Sequence, residues 1–437
     1  MAMQRRHLLA GLATAATGLL PPRPAIAAFA AAGIDHPVQI NFYNYNLATA
    51  GLGADATRKL LREFMRANPN IKVNGVGVPV TGFTARVQAD LAAHRQVDLI
   101  QLGFGDLDFA VHSLGAKALE DLIPAPELAA NFAGIAPNGL KLGMLDGKTY
   151  GLAYTFSTPV LFYNADLFRA AGLNPDQPPL TWAEVKQAAL TIKAKTGKGG
   201  LATGILGPSA FDWLFQGVVR SNGGETISRD RKTMKFAAPE AVEAVAMLRD
   251  LNDSGAMANL DVNAAMEAMA AGDMGMYLQT SAVQGFIVAG AKDKFDLRAS
   301  TMPSFGAKKV RPNNSGSALI LLATDPVLQR AAWELMKFLT SKRGYTIITS
   351  EIGYLPLRTD IVDDPQYLGE WVKTHPLVQP NLKQLAVLEP WDAMPGPNYR
   401  QIVKTMMDAV ELAVTGKVDV AATLLAAQQT TQAMLPK

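Results

Sequence analysis

Between residues 38 and 102 the chain alternates two hydrophobic periods, and that alternation constrains its fold more than any motif does. Val38-Gln39-Ile40-Asn41-Phe42-Tyr43 alternates apolar and polar residues, the pattern of a half-buried strand. Residues 55–67, DATRKLLREFMRA, place Leu60, Leu61, Phe64 and Met65 on one face of a helix. Ile71 to Val76 reads as a strand, 88–94 lies in a second helix, and Asp98 to Leu102 reads as a third strand. Strand, helix, strand, helix, strand predicts an α/β lobe. At 437 residues the chain is long for one core, so two lobes are expected.

Later helix signals keep the alternation going. TWAE at 181–184 has the form of a capping box, and its helix is expected to run to Thr196 with Gly197 as a left-handed cap. Pro239 opens a helix with Val242, Val245, Leu248 and Leu251 on one face and Gly255 past its end. Asp325-Pro326 starts a third, with Leu328, Ala331, Leu335, Phe338 and Leu339 inward and an expected stop at Gly344. The last stretch is helical too, broken by Pro390, Pro395 and Pro397. Both lobes are therefore expected to be α/β.

The first 27 residues have a different character. Arg5 and Arg6 precede an uncharged run from Leu8 to Leu20, and Ala25-Ile26-Ala27 forms a small-residue cleavage site. These features predict an export signal cut after Ala27. The paired arginines suggest the twin-arginine route, with Sec export as the alternative. Without that segment Lys plus Arg falls from 41 to 38, against 38 Asp plus Glu. The mature charge is then near zero, and no nucleic-acid footprint remains. The chain has no Cys, which excludes disulfides, thiolate metal sites and a lipidated N-terminal Cys. An exported, untethered protein of the periplasm is expected, with no membrane span in its mature part.

Enzyme motifs do not appear. His36, His94, His112 and His375 include no pair at helical metal-binding spacing, and no G-x-S-x-G elbow occurs. LDGKTYG at 145–151 lacks the first P-loop glycine, whose place holds Leu142. Gly51 to Ala56 has a G-x-G-x-x-A spacing but follows no strong strand, so a loop before the 55–67 helix is the better account. Neither a catalytic residue, a metal site nor a cofactor is expected.

Binding chemistry is more plentiful. Polar small molecules need aromatic faces and a few fixed polar groups, and loops after the strands supply both. Tyr43, Asn44, Tyr45 and Asn46 follow the first strand; Gly103, Phe104 and Asp106 follow the strand ending at Leu102. Phe211, Asp212 and Trp213 sit in one turn, Gln279, Thr280 and Ser281 follow Met274 to Leu278, and Ser315-Gly316-Ser317 precedes Leu319 to Leu322. Trp391 and Asp392 sit between prolines. Each also has an ordinary structural account: packing for Tyr43, a helix cap for Asp106, core for Phe211 and Trp213, a plain turn for 315–317.

Taken in order, several segments resemble the family 1 extracellular solute-binding proteins of bacterial ABC importers. They include LDGKTYGLAYTFSTPVLFYNADLFRAAGL, PPLTWAEV, AMEAMAAGDMGMYLQTS, SGSALIL, AAWELMKFLTS and EIGYLPLR. FSTPVLFYN and GYLPLR look nearest the glycerol-3-phosphate-binding branch. The resemblance implies a two-lobe periplasmic-binding-protein fold of the type II kind, with discontinuous lobes joined by hinge crossings. The first lobe would comprise 36–154 plus 303–352 and the second 155–302 plus 353–437. It also implies a monomeric receptor that catalyses nothing and hands its solute to a membrane permease driven by an ATPase.

The resemblance carries ligand contacts to Tyr43 or Asn44, Ser157, the 209–213 turn, Thr280 or Ser281, Gly316, Tyr354 and the 391–392 turn. Ser157, Gly316 and Tyr354 agree with the glycerol-3-phosphate branch. Ser209 and Asp212 stand where that branch has tryptophans, and Asp392 where it has an arginine. A carboxylate repels phosphate and accepts from hydroxyl or ammonium donors. The expected solute is therefore a sugar, polyol or glycoside, with sn-glycerol-3-phosphate or its diesters as the alternative. In YTFSTPVLFYN at 154–164, the core reading is expected to hold from Val160 onward and the site reading up to Thr158.

Overall fold

The computed structural model describes residues 24–48, 53–207 and 210–437. Its strands are β1 Val38–Asn44, β2 Ile71–Gly77, β3 Leu99–Gly103, β4 Met144–Leu145, β5 Lys148–Thr149 and β6 Gly151–Ser157. They continue as β7 Pro159–Asn164, β8 Gly199–Thr203, β9 Met274–Thr280, β10 Leu297–Thr301 and β11 Ser315–Leu321. Two main sheets result, β2-β1-β3-β11-β6 and β10-β7-β9-β8, with β4-β5 a small ribbon. In the first, β1, β2 and β3 run parallel and β11 runs antiparallel to both neighbours. In the second, β8 and β9 pair parallel while β7 is antiparallel to β9 and β10. The two-lobe α/β architecture is the one the alternation predicts.

Local chemistry explains the helix ends. Thr181 Oγ1 accepts from Glu184 N at 3.2 Å and the Glu184 carboxylate accepts from Thr181 N at 2.9 Å, closing the capping box. Gly197, at φ 69, ends that helix, Trp182–Thr196. The third helix departs from expectation: Pro326–Leu339 ends early, and a separate helix Lys342–Ile347 passes through Gly344. Ser341 Oγ caps the new helix by accepting from Gly344 N at 3.1 Å. A Cβ at Gly344 would lie 2.3 Å from Leu339 O, so this glycine permits a close approach rather than stopping a helix.

The first lobe has one core, including Phe42, Leu99, Ile320 and Trp333. The second sheet is covered on both faces. Leu161 and Tyr163 join Trp182 and Leu248 on one side, while Val160 and Phe162 join Met269 and Tyr277 on the other. That split follows from the two-residue period of β7. Residues 353–437, expected as a block in the second lobe, divide. Tyr354, Leu355, Leu357 and Ile361 pack into the first core, and second-lobe packing resumes at Met394, Tyr399 and Ile402.

Thr158 is the one residue between β6 of the first sheet and β7 of the second. Its Oγ1 donates to Asn381 Oδ1 at 2.7 Å. Gln384 Nε2 donates to Pro159 O at 2.7 Å, and Gln384 Oε1 accepts from Met302 N at 3.1 Å. Met302 follows β10 of the second sheet on the way to β11 of the first, so one short helix, Gln379–Gln384, braces both of these crossings between the sheets. The expected export signal lies outside the described residues as far as residue 23. Pro24–Ala31 is helical, with Phe29 fully buried and the Arg330 guanidinium 5.1 Å from its ring centre. Among the described residues, no helix is long and apolar enough to cross a membrane.

Candidate ligand-binding cleft

The carboxyl ends of β1, β3, β8 and β9 meet between the lobes, the place where open α/β sheets bind ligands. Chain at or just beyond these ends supplies Tyr45, Gly103, Gly204 and Gln279 to an inner cavity of about 280 Å³. Its walls are aromatic: Tyr45, Phe83, Phe211, Trp213, Tyr354 and Trp391. Asp106, Gln279, Thr280 and Ser315 bring polar side chains, and no Lys or Arg among the described residues lines it.

Each wall has a local cause. Phe211 immediately precedes the helix Asp212–Ser221, which buries Trp213 in its first turn and leaves Phe211 45% exposed. Phe211 meets Trp391 edge to face, with ring centres 6.2 Å apart. Gly316 has φ 118, and a Cβ there would sit 2.0 Å from Thr155 O, so only glycine lets β11 and β6 approach at the floor.

Beneath the aromatics the hydroxyls bond to one another. Thr155 Oγ1 and Ser317 Oγ are 2.5 Å apart, and Gln101 Nε2 donates to Ser317 Oγ and Asn46 Oδ1, each at 3.0 Å. Tyr45 OH lies 3.3 Å from Thr155 Oγ1. Ser157 Oγ and Thr280 Oγ1 are 2.6 Å apart, joining β6 to β9 across the lobes. Burial raises the Tyr45 and Tyr354 phenols, which keeps both neutral at neutral pH.

An outer cavity of about 550 Å³ adjoins the inner one, and Asp106, Phe211 and Trp391 line both. Its far wall is one face of the helix Tyr399–Thr415, carrying Arg400, Val403, Lys404, Met407, Asp408 and Glu411. Most charges here are already paired. Lys404 Nζ lies 2.6 Å from Asp408 Oδ2, and Arg400 Nη2 lies 3.4 Å from Asp106 Oδ1. Tyr399 OH donates to the same Asp106 oxygen at 2.5 Å. Burial raises the Asp106 carboxyl, and Arg400 and Tyr399 oppose the rise.

The turn at 390–392 is held from behind. Arg220 donates to the Asp392 carboxylate, to Pro390 O at 2.6 Å and to Asn313 Oδ1 at 3.1 Å. Burial raises Asp392 and the guanidinium opposes it. Asp212 is 1% exposed; Oδ1 accepts from Trp391 Nε1 at 3.0 Å and Oδ2 from Gln216 Nε2 at 2.8 Å. Burial pushes the Asp212 carboxyl up to about 7 in spite of those two bonds. A separate seam joins the lobes where Asp108 accepts from Arg231 Nη1 at 2.6 Å and from Gly396 N at 2.9 Å.

The expected contact residues fall into three groups. Phe211, Trp213, Tyr354 and Trp391 are inner walls, with Asp106, Gln279, Thr280, Ser315 and Gly316 on the polar side and floor. Asp212 and Asp392 line only the outer cavity, and both carboxylates already accept hydrogen bonds from the protein. Tyr43, Asn44 and Ser157 line neither. Tyr43 OH donates to Asp90 Oδ2 at 2.8 Å, Asn44 Oδ1 accepts from Leu47 N at 3.1 Å, and Ser157 stands behind Thr280. Ser209 lies outside the described residues. Phe83 and the 399–411 helix face carry no sequence signal of a site, whereas Tyr45 does, as an aromatic just beyond β1. No group of His, Asp or Glu among the described residues is placed to hold a metal ion.

Comparison with known proteins sets this cleft in context. The sn-glycerol-3-phosphate-binding periplasmic protein of Escherichia coli (strain K12) is 28% identical over 238 residues, 52% of this chain. The match spans about half of that relative, 54% of its length. A cyclic alpha-maltosyl-1,6-maltose binding protein from Arthrobacter globiformis superposes with a TM-score of 0.78 at 23% identity, covering 91% of this chain and 98% of that one. A Mycobacterium tuberculosis protein solved in complex with glycerophosphocholine gives 0.79 at 21% identity, with the same coverage of 91% and 98%. These two likenesses speak for the fold. The profile of a family whose members bind solutes and are not enzymes matches residues 59–380, and the chain belongs to that family, the bacterial extracellular solute-binding proteins.

Proposed function

We propose that this protein is the periplasmic receptor of an ABC importer, and that it captures a neutral carbohydrate-like solute: a sugar, polyol or glycoside. The observation that carries the reading is the inner cavity, walled by six aromatic side chains and lined by no Lys or Arg among the described residues. Aromatic faces suit the C–H surface of a sugar ring, while Gln279, Thr280, Ser315 and the two neutral phenols suit its hydroxyls. Hinge closure about the crossings at Thr158 and Met302 would complete the cleft before docking on the permease. Residues 1–27 would direct export, by the twin-arginine route.

A receptor for sn-glycerol-3-phosphate or its diesters is the second reading. Arg400 and Lys404 in the outer cavity favour it, as does the likeness to the sn-glycerol-3-phosphate-binding protein of Escherichia coli. Both cations already face Asp partners, which weakens their claim on a phosphate. A thermal-shift screen separates the readings. A ligand at ~100 times its dissociation constant stabilises the fold by roughly 2.7 kcal/mol. Neutral sugars or glycosides are expected to raise the melting temperature and sn-glycerol-3-phosphate to leave it unchanged. The reverse pattern would reject the carbohydrate reading, and turnover of a screened solute would reject the receptor.

A further inference from the structure

We infer that Gln216 is a positioning residue of the cleft: it lines neither cavity, and it fixes where the Trp391 ring stands between the lobes. The inference rests on Trp391 as a wall of the cleft and not on the class of solute. The segment that carries Trp391 cannot hold itself. Pro390 to Pro395 form neither helix nor strand, so their backbone groups need partners from elsewhere. Side chains supply them. Trp391 N donates to Asn314 Oδ1 at 2.7 Å, and Pro390 O accepts from Arg220 at 2.6 Å and from Asn313 Nδ2 at 3.2 Å. Asp392 N donates to Gln216 Oε1 at 3.0 Å, and Asp392 O accepts from Gln216 Nε2 at 3.1 Å.

Asp212, Gln216 and Arg220 stand at intervals of four, so they form one stripe along the helix Asp212–Ser221. The stripe meets the turn with every member. Asp212 takes the indole N–H of Trp391, Gln216 takes the Asp392 backbone, and Arg220 takes Pro390 O and the Asp392 carboxylate. Gly217 lets the helix come close, since a Cβ there would lie 3.0 Å from Asn313 N. Gln216 is the centre of the stripe. Its Nε2 also donates to Asp212 Oδ2 at 2.8 Å, and its Oε1 also accepts from Asn313 Nδ2 at 3.0 Å. Two donors and two acceptor sites are the whole inventory of a primary amide, and all four are used. Gln216 is 1% exposed, so water cannot replace a bond that is lost. A glutamate of the same size would keep the two accepted bonds and lose both donated ones.

The position matters because Trp391 reaches the other lobe. The helix belongs to the second lobe through Phe215 and Val218. The indole faces Gly105, whose neighbour Phe104 is in the first core. A Cβ at Gly105 would lie 2.6 Å from the Trp391 ring. First-lobe backbone therefore blocks the indole on one side, and the stripe holds it from the other. Trp391 lines both cavities, so its place sets the shape of each.

The test needs no solute, which makes its outcome independent of the carbohydrate reading. Trp391 emission is taken as the difference between each protein and its Trp391→Phe counterpart. Acrylamide quenching of that component is then compared in the unsubstituted protein, Gln216→Leu and Gln216→Glu. Both substitutions should raise the quenching constant of the Trp391 component by about twofold or more, as the turn opens locally from the helix. Ile192→Ala is the control, because Ile192 is buried in the same core on the helix Trp182–Thr196, which the turn does not touch. It should lower the melting temperature and leave the Trp391 component unchanged. Unchanged quenching in a folded Gln216 variant would overturn the inference. An equal rise in Ile192→Ala would also overturn it, by making the effect a general loosening. Failure of both Gln216 variants to fold would assign Gln216 to the core rather than to Trp391, and would overturn it too.

Discussion

The two cavities of the cleft are built by different means. The inner one sits on strand ends, and its floor is fixed by backbone geometry at Gly316 and by the hydroxyl network of Thr155, Ser317 and Gln101. The outer one is walled by a single helix face whose charged residues answer mainly to each other and to Asp106. Rigid sheet ends can impose an orientation on a ligand. A helix rim with paired charges can accept variation in what it touches. The difference teaches which cavity should carry affinity and which should tolerate variation, and substitutions can test that division.

The largest effect is expected where the cavities meet. Trp391→Ala removes the shared wall, and affinity for the best sugar should weaken by about 100-fold, the scale of a buried aromatic anchor. Titration calorimetry measures it; a change under about threefold would place the ligand elsewhere. Next comes the inner floor. Gly316→Ala forces a side chain into φ 118 and against Thr155 O, so it should destabilise the fold by roughly 1–3 kcal/mol or more. Thermal melting checks this, and an unchanged melting temperature would show that the floor yields.

A smaller effect concerns the support behind Trp391. The Asp212 carboxyl is pushed up to about 7 in the folded chain, against roughly 3.9 when unfolded. Its contribution to stability is therefore full below pH ~3.9 and is lost as pH rises through about 7, because the folded state holds the proton longer. Melting of the unliganded protein should fall across that window, and Asp212→Asn should flatten the fall. An unchanged slope in the variant would remove Asp212 from the account. The smallest effect belongs to the outer rim: Lys404→Ala breaks an exposed pair and should change stability by less than about 0.5 kcal/mol. A larger loss would mean that the rim is structural.

Much of this was legible in the chain itself. Alternating periods foretold the two α/β lobes, and the aromatic-rich loops after strands foretold most of the inner cavity. Tyr43 shows where that reading stops. A two-residue strand period would put Tyr43 and Tyr45 on one face; they part because β1 ends at Asn44, so Tyr43 stays in the strand and meets Asp90 inside the first lobe while Tyr45, past the strand end, reaches the cleft. Ser157 fails for another reason: its hydroxyl partner, Thr280, lies 123 residues away, and a long-range pair leaves no local trace. Asp392 was expected to face the solute, but Arg220, 172 residues earlier, holds its carboxylate. The face of the 399–411 helix carries charges at helical spacing and so reads like any solvated surface.

The stretch YTFSTPVLFYN, which joins β6 to β7, follows the same logic. Val160 to Tyr163 is core, as its apolar run suggests, and the hydroxyls of Thr155, Ser157 and Thr158 are spent on Ser317, Thr280 and Asn381. They position the residues that line the cleft.

Tryptophan fluorescence titration tests the central claim most directly, because Trp213 and Trp391 both line the inner cavity. Saturable change on adding a neutral glycoside, absent with sn-glycerol-3-phosphate and lost for the Trp391 component in Trp391→Phe, is the predicted result. Saturation by sn-glycerol-3-phosphate, with displacement of any bound sugar, would contradict the reading of an aromatic sugar cavity lined by no Lys or Arg among the described residues.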